Sequence, residues 1–150
     1  MKIIIISVVT LLFVGFVIRL YIDNEKPEVS EFEVNSSKIP KSFDGYRILH
    51  LSDLHSKRFG IDGKKLIPMI DEAKPDAIFI TGDMVSANQS NYTTFFELVD
   101  LIASKYKIYY VFGNHEESLP IKYQNIITDY LKEKNVIIIN NKDYRKSMGL

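Results

Sequence analysis

The chain of 150 residues contains no cysteine. This excludes a thiolate nucleophile and a zinc site with cysteine ligands. It fits either a cytosolic protein or a bacterial protein outside the cytoplasm that avoids disulfides. Acidic and basic residues balance at 19 each, and the sequence has no basic cluster. Nucleic acid is therefore not an expected partner.

The first segment lacks charge. No charged residue occurs between Ile3 and Ile18, and the apolar run continues past Arg19 to Ile22. A helix of this length spans about 30 Å, the thickness of the hydrocarbon core, if Arg19 extends to the headgroups. A cleaved signal peptide would need a site of small residues after the apolar region, and a helix in a soluble core would show a polar face. The sequence offers neither, so we predict a single transmembrane anchor over residues 1–22.

This anchor predicts a membrane protein with one crossing, attached through residues 3–22. The charges that flank the crossing decide its orientation. Lys2 and the amino terminus favour a start inside the cytoplasm, whereas Arg19 and Lys26 lie on the other flank. We predict that the soluble part lies outside the cytoplasm.

A polar tether over residues 23–43, with one short strand at 31–34, is predicted to precede a folded domain over residues 44–150. In that domain, runs of β-branched and aromatic residues alternate with amphipathic helix patterns. The alternation predicts an α/β fold with parallel strand–helix–strand units. Helices are expected to cover both faces of its sheet. The predicted strands are residues 46–52, 76–81, 107–112 and 136–139, and the predicted helices are residues 63–74, 92–105 and 120–134.

Three short motifs each follow one of the first three predicted strands. They are Asp53-Leu54-His55, Gly82-Asp83 and Gly113-Asn114-His115-Glu116. Consecutive motifs lie roughly 30 residues apart, the length of one strand–helix–strand unit. Because parallel strands end at the same edge of a sheet, where ligands of open α/β sheets bind, we expect the three motifs to converge in space.

The residue types in these motifs suit a two-metal phosphoesterase site. Hydrolysis of a phosphate ester needs charge neutralisation at the phosphoryl oxygens and a strong nucleophile at neutral pH, and two divalent ions supply both. Carboxylates and imidazoles bind Zn, Mn or Fe, and an asparagine carbonyl can complete a hard site. The predicted metal ligands are Asp53, His55, Asp83 and Asn114. His115 is left to face the substrate, and Glu116 is expected to orient a neighbouring group rather than to bind metal.

Each motif alone also has a structural explanation, since an Asp-x-His pair is usually structural, a Gly-Asp pair is ordinarily a turn, and Asn-His before Glu can cap a helix. The three in order, each after a strong strand, favour a metal site instead. Gly82 and Gly113 fit that interpretation, because a sharp turn beneath a metal needs positive φ or close backbone approach. His50, inside the first strand, is predicted to be a core or strand-face histidine rather than a ligand.

The segments Ser52–His55, Thr81–Asp83 and Phe112–Glu116 resemble the first three motifs of the calcineurin-like metallophosphoesterases, and the leading anchor resembles their membrane-tethered bacterial branch. The resemblance covers residues 31–139. It implies the amino-terminal half of an α/β/β/α sandwich, preceded by one transmembrane helix. It also implies two divalent ions (Mn, Fe or Zn) in the complete site, bridged by Asp83, and a catalytic role for His115 at the phosphate and the leaving group.

One departure from the family pattern shapes the functional hypothesis. The family carries two later motifs, Gly-His and Gly-His-x-His, but no histidine follows His115 here. We therefore expect a truncated and inactive domain of a metal-dependent phosphoric-ester hydrolase, with one uncovered sheet face. The substrate would be a phosphomonoester, phosphodiester or pyrophosphate, and the anchor suggests a lipid-linked one. The alternative is a non-catalytic membrane-tethered protein that binds only metal or a partner.

Overall fold

The computed structural model describes four stretches of the chain: residues 2–24, 27–56, 65–86 and 92–139. The chain divides into two compact units, Met1–Phe32 and Glu33–Leu150. The boundary between them falls inside the predicted tether.

The first unit contains one long helix, α1 (Lys2–Asn24). The helix predicted for the first segment is therefore confirmed, and the residues from Ile6 to Leu20, most of them apolar, are exposed. The bilayer crossing predicted for residues 1–22 is not confirmed. In the stretches that the structure describes, no helix combines the length and the apolar character needed to span a membrane.

The short strand predicted at residues 31–34 is wrong. These residues have no regular structure, and Phe32 and Val34 are 88% and 76% exposed. The alternation of apolar and acidic residues therefore buries no face here, because no described strand pairs with this stretch. A single turn of 3-10 helix, Lys41–Phe43, comes before the sheet.

The second unit is built on a four-stranded parallel sheet. Its strands are β1 (Ile48–Leu51), β2 (Ala77–Ile80), β3 (Lys107–Tyr110) and β4 (Ile137–Ile138). They lie in the order β1-β2-β3-β4, and all four fall within the predicted strands, which confirms the α/β class. Leu51 is paired with Ile80, and Ile80 with Tyr110. The first three strands therefore end level with one another at one edge.

The helices that connect the strands are α2 (Leu66–Ala73), α3 (Thr93–Ala103), α4 (Asn114–Glu117) and α5 (Ile121–Glu133). Three of them were predicted, although residues 63–64 of the first predicted helix lie outside the described stretches. The short α4 was not predicted. Helix α2 is followed by Lys74, which has a left-handed φ of 47° directly before Pro75. This fits the stop that a following proline imposes.

The hydrophobic core lies on one face of the sheet. Successive residues of a strand point to opposite faces, and Ile78, Ile80, Ile108 and Tyr110 share one face and are all buried. They form one cluster with the buried side chains of α2, α3 and α5. The helices share a face because each right-handed crossover moves to the next strand in the same direction.

The opposite face carries His50, Phe79, Tyr109 and Ile137, which are paired in register across the sheet. None of them belongs to the core cluster. The rings of Phe79 and Tyr109 stack with centroids 4.7 Å apart, and the ring Nε2 of His50 lies 2.6 Å from Oγ1 of Thr81. Among the described residues of this unit, the helices pack on one face only, so the prediction of helices on both faces is wrong. The strand-face position of His50 is confirmed, and the uncovered face stays a prediction.

Candidate metal centre

The first two motifs stay paired beyond the ends of their strands. The backbone N–H groups of Asp53 and His55 donate to the carbonyl oxygens of Gly82 and Asp83, at 3.3 and 2.9 Å. Backbone hydrogen bonds thus continue to join the two loops beyond the last strand pair. The convergence that the topology predicts is confirmed for these motifs, and backbone hydrogen bonds enforce it.

The second and third motifs are in direct backbone contact. A Cβ atom placed on Gly82 would overlap the backbone N and Cα of Gly113, and one placed on Gly113 would overlap Oδ1 of Asp83. Gly82 also has a φ of +86°, whereas Gly113 has a φ of −89°. Both glycines are therefore required by the close approach, and only Gly82 is also required by its backbone conformation.

Three of the predicted ligands have left-handed backbones. The φ angles of Asp53, His55 and Asp83 are 58°, 47° and 55°, and Ser56 follows with 60°. This conformation costs a non-glycine residue about 1–2 kcal/mol, and aspartate tolerates it better than most. Such strain persists only where the surroundings impose it, and it concentrates at functional sites. Here the backbone hydrogen bonds between the first two loops hold these residues in place.

Three side chains meet at the end of the sheet. An imidazole nitrogen of His55, a carboxylate oxygen of Asp83 and an imidazole nitrogen of His115 lie within 4.8 Å of one another. The rings of His55 and His115 meet edge to face, with centroids 4.5 Å apart. Asp53 lies beside this group, with its Oδ1 3.7 Å from Nε2 of His55.

The donor set fits a divalent ion. Two imidazoles and a carboxylate suit Zn, Mn or Fe. Donors that share an ion at about 2.1 Å are at most about 4.2 Å apart, so the spacing within 4.8 Å needs only a small movement. The side chain of His55 is 41% exposed, and rotation of its ring can supply that movement.

The grouping only partly follows the predicted roles. His55 and Asp83, two of the four predicted ligands, lie together with His115, the predicted catalytic residue. Asp53 adjoins the group, whereas Asn114 begins α4, is exposed and lies outside the three-residue group. The assignment of each residue to metal or substrate stays a prediction.

Asp83 joins the second motif to the third through its side chain. Its Oδ1 accepts a hydrogen bond from the backbone N–H of His115 at 2.9 Å. That N–H lies in the first turn of α4, where helix donors have no partner within the helix. This hydrogen bond holds Oδ1 of Asp83 in place. The other carboxylate oxygen, Oδ2, takes no part in it.

Glu116 is the only polar or charged residue that is buried in the described part of the chain. Its Oε1 accepts hydrogen bonds from the backbone N–H groups of Met84 and Val85, at 2.7 and 3.2 Å. Its Oε2 accepts from those of Asp83 and Gly113, at 2.7 and 3.0 Å. Glu116 was predicted to orient a neighbouring group, but these four hydrogen bonds were not predicted. The signal for one of them was the Gly-x-x-Glu spacing, which resembles a helix capping box.

The residue beneath this carboxylate is Tyr110, at the end of β3. Burial, and then the negative charge of Glu116, raise the pKa of the Tyr110 hydroxyl well above its usual range. The hydroxyl therefore stays protonated at physiological pH. Tyr110 belongs to the core and supplies no acid or base to the site.

Comparison with known proteins agrees with this geometry. The model of the calcineurin-like phosphoesterase family matches residues 46–147, a range that contains all three motifs. No solved structure matches the chain significantly.

Several curated relatives carry the same domain. The uncharacterized metallophosphoesterase YkuE of Bacillus subtilis is 33% identical over 107 residues, which cover 68% of this chain and 37% of that protein. The uncharacterized metallophosphoesterase YkoQ of the same organism is 24% identical over 144 residues, 95% of this chain and 53% of that protein. A Danio rerio protein named transmembrane protein with metallophosphoesterase domain is 28% identical over 94 residues, 61% of this chain and 22% of that protein. The chain thus spans about half or less of the length of these relatives.

Proposed function

Because the chain belongs to the calcineurin-like phosphoesterase family, we propose that it serves metal-dependent hydrolysis of a phosphate ester. The observation that supports this proposal is the group formed by His55, Asp83 and His115, whose donor atoms lie within 4.8 Å. The group stands where parallel strands end, which is where ligands of open α/β sheets bind.

Each residue of the site has a proposed role. Divalent ions supply charge neutralisation at the phosphoryl oxygens and a water of lowered pKa. His55 and Asp83 would hold the first ion together with Asp53, and Asp83 and Asn114 would hold the second. His115 belongs to the same three-residue group, and its imidazole would donate a hydrogen bond to a phosphoryl oxygen and a proton to the leaving oxygen.

The substrate class is a further part of the proposal. We propose that the substrate is a phosphomonoester, a phosphodiester or a pyrophosphate. Hydrolysis assays with aryl phosphates and with inorganic pyrophosphate distinguish these three classes. Presentation of a lipid-linked pyrophosphate in vesicles tests the membrane substrate. That this chain of 150 residues alone has background activity stays a prediction, and the same assays measure it.

The proposal is tested with the full chain in mild detergent. Mn²⁺ binding is measured by calorimetry, and Mn²⁺-dependent hydrolysis of an aryl phosphodiester is measured by absorbance. Asp83→Ala should abolish binding and any turnover, because Asp83 belongs to the donor group and its Oδ1 also orders α4. Glu117→Gln is the matched control, since it removes one exposed carboxylate of α4.

The outcomes separate the functions. Metal-dependent turnover that is lost in Asp83→Ala supports the hydrolase. Metal binding without turnover supports a binding protein in place of an enzyme. A wild-type chain that binds no Mn²⁺, or an Asp83→Ala chain that binds it normally, contradicts the proposed site.

We also propose that α1 attaches the domain to a membrane, with the domain outside the cytoplasm. Its residues between Ile6 and Leu20 are exposed and mostly apolar, and a relative from Danio rerio is named as a transmembrane protein. The full chain should remain in the membrane pellet after alkaline carbonate, whereas a chain without residues 2–24 should not. Release of the full chain by carbonate would contradict the attachment. Digestion of the domain by protease added to intact cells tests its location.

A further inference from the structure

A single buried carboxylate connects the two loops that carry Asp83 and His115. Burial of a charge is costly unless hydrogen bonds satisfy it, and the Glu116 side chain accepts four backbone N–H groups. Three of these donors belong to the loop after β2, and the fourth belongs to Gly113 in the loop after β3. Hydrogen bonds to an ionised acceptor are shorter and stronger than neutral ones. The two loops are therefore fastened to each other by Glu116.

The bonds form a closed ring that joins Asp83 to the residues of the third motif. Oε2 of Glu116 accepts the N–H of Asp83 and the N–H of Gly113, so one oxygen atom bridges the loops. Oδ1 of Asp83 then accepts the N–H of His115, the residue before Glu116. Displacement of Glu116 would therefore release both loops at once.

The backbone of the second loop is shaped to bind this carboxylate. Asp83 has a φ of 55°, and the N–H groups of Asp83, Met84 and Val85 all point at the Glu116 oxygens. Successive N–H groups that converge in this way make an anion-binding concavity. In this chain the bound anion is the protein's own glutamate.

We infer that Glu116 is a positioning residue of the metal centre: its carboxylate clamps the loop after β2 to the loop after β3 and thereby sets the distance between Asp83 and His115. The inference rests on the proposed function for the identity of the bound ion. The clamp itself is a property of the backbone hydrogen bonds. Residues that orient metal ligands from outside the coordination shell typically change metal affinity by about 10- to 100-fold when they are replaced.

The decisive variant is Glu116→Gln. Glutamine keeps the shape of glutamate but offers one acceptor oxygen and one NH₂ group. In either orientation, its NH₂ group faces two backbone N–H donors, so half of the clamp is lost. Glu117→Gln is the matched control, because it makes the same chemical change one residue further along α4 at an exposed position.

Two measurements are made on the full chain in detergent. Co²⁺ affinity is measured from the visible absorption of the bound ion, and backbone amide exchange is measured by NMR. We expect Glu116→Gln to lower Co²⁺ affinity at least about 10-fold and to speed exchange at Asp83 and Gly113, with the Ile78 amide unchanged. Glu117→Gln should change neither measurement. A residue with only a general stabilising role would not lower the Co²⁺ affinity of the folded protein.

Each outcome decides the inference. Glu116→Gln with normal Co²⁺ affinity overturns it. If the wild type binds no Co²⁺, the proposed metal function fails, and amide exchange alone tests the clamp. Faster exchange in Glu116→Gln then supports the clamp, and unchanged exchange overturns it. If Glu116→Gln does not fold, amide exchange in the wild type tests the clamp. The clamp requires the Asp83 and Gly113 amides of the wild type to exchange as slowly as the Ile78 amide. Fast exchange there overturns the inference.

Discussion

Replacement of Gly113 by alanine tests whether the two loops are held in backbone contact. The added Cβ would lie 2.5 Å from the backbone N of Asp83 and 2.9 Å from its Cγ, and it would overlap Oδ1. Asp83 would have to move, which breaks the bond from the His115 N–H to its carboxylate. A hydrogen bond to a charged group contributes about 1.5–3 kcal/mol, and overpacking costs about 1–3 kcal/mol. We expect the free energy of unfolding to fall by about 2.5–6 kcal/mol from these two effects together.

The assay is denaturation of the full chain in mild detergent, followed by circular dichroism. Gly45→Ala is the control for backbone conformation, since Gly45 has a φ of +71° but no atom within 4 Å of an added Cβ. It should lose only the cost of the left-handed conformation, about 1–2 kcal/mol. A loss in Gly113→Ala no greater than that in Gly45→Ala would refute the close approach of the two loops.

Three further predictions concern single side chains. Lys74→Gly should raise the free energy of unfolding by about 0.5–1 kcal/mol, because Lys74 holds a φ of 47° at the end of α2; lower stability in a denaturation experiment would contradict this. The hydrogen bond from Lys105 lowers the pKa of Asp71 below its ordinary 3.8. Its stabilising effect is therefore present above that value and is lost as the pH falls through the folded pKa. Asp71→Asn should thus be less stable at neutral pH but not in strong acid, and a difference independent of pH would argue against it. His55→Ala should weaken Co²⁺ binding, whereas His50→Ala should not, because only His55 belongs to the donor group; equal affinities in a titration would remove His55 from the site.

The four strands and the three longer helices of the domain could be predicted because each has a strong local pattern. The arrangement of helices could not. Ile78 and Phe79 lie next to each other in one apolar run, and such a run reads as a strand buried on both faces. In the structure Ile78 is in the core, and Phe79 stacks on Tyr109 outside it. The face that the helices cover is decided by the order of the strands and the direction of the crossovers between them. A run of apolar residues carries no information about either.

The false strand at residues 31–34 has a related cause. Alternation of apolar and polar residues describes a strand with one buried face, but it says nothing about a partner strand. Phe32 and Val34 find no described partner and remain exposed. A strand is stable only when its backbone groups are paired, so the pattern alone was insufficient.

The candidate site was predicted at the level of topology. In a parallel sheet, Asp53 and Asp83 each follow a strand and therefore lie at the same edge. This follows from the topology alone and does not depend on where the side chains point. The left-handed backbones of these residues could not be read from the sequence, because aspartate tolerates this conformation but adopts it only where the surrounding backbone requires it. The fourfold bonding of Glu116 was also hidden, since three of its four donors lie more than 30 positions away in the chain.

Backbone contacts between the loops set the positions of the predicted metal ligands. Substitutions that leave these contacts intact should therefore differ in effect from substitutions that disturb them. His55 donates its N–H to Asp83, Gly82 abuts Gly113, and Glu116 joins both loops, so these contacts set the positions of the loops. The imidazole of His55 takes part in none of them, and removing it should leave the loops in place. A side chain at Gly82 would push the loops apart, and substitution of Glu116 would remove the hydrogen bonds that join them. Loss of metal affinity with an intact fold is therefore expected for His55→Ala, whereas the glycine substitutions should lose affinity and stability together.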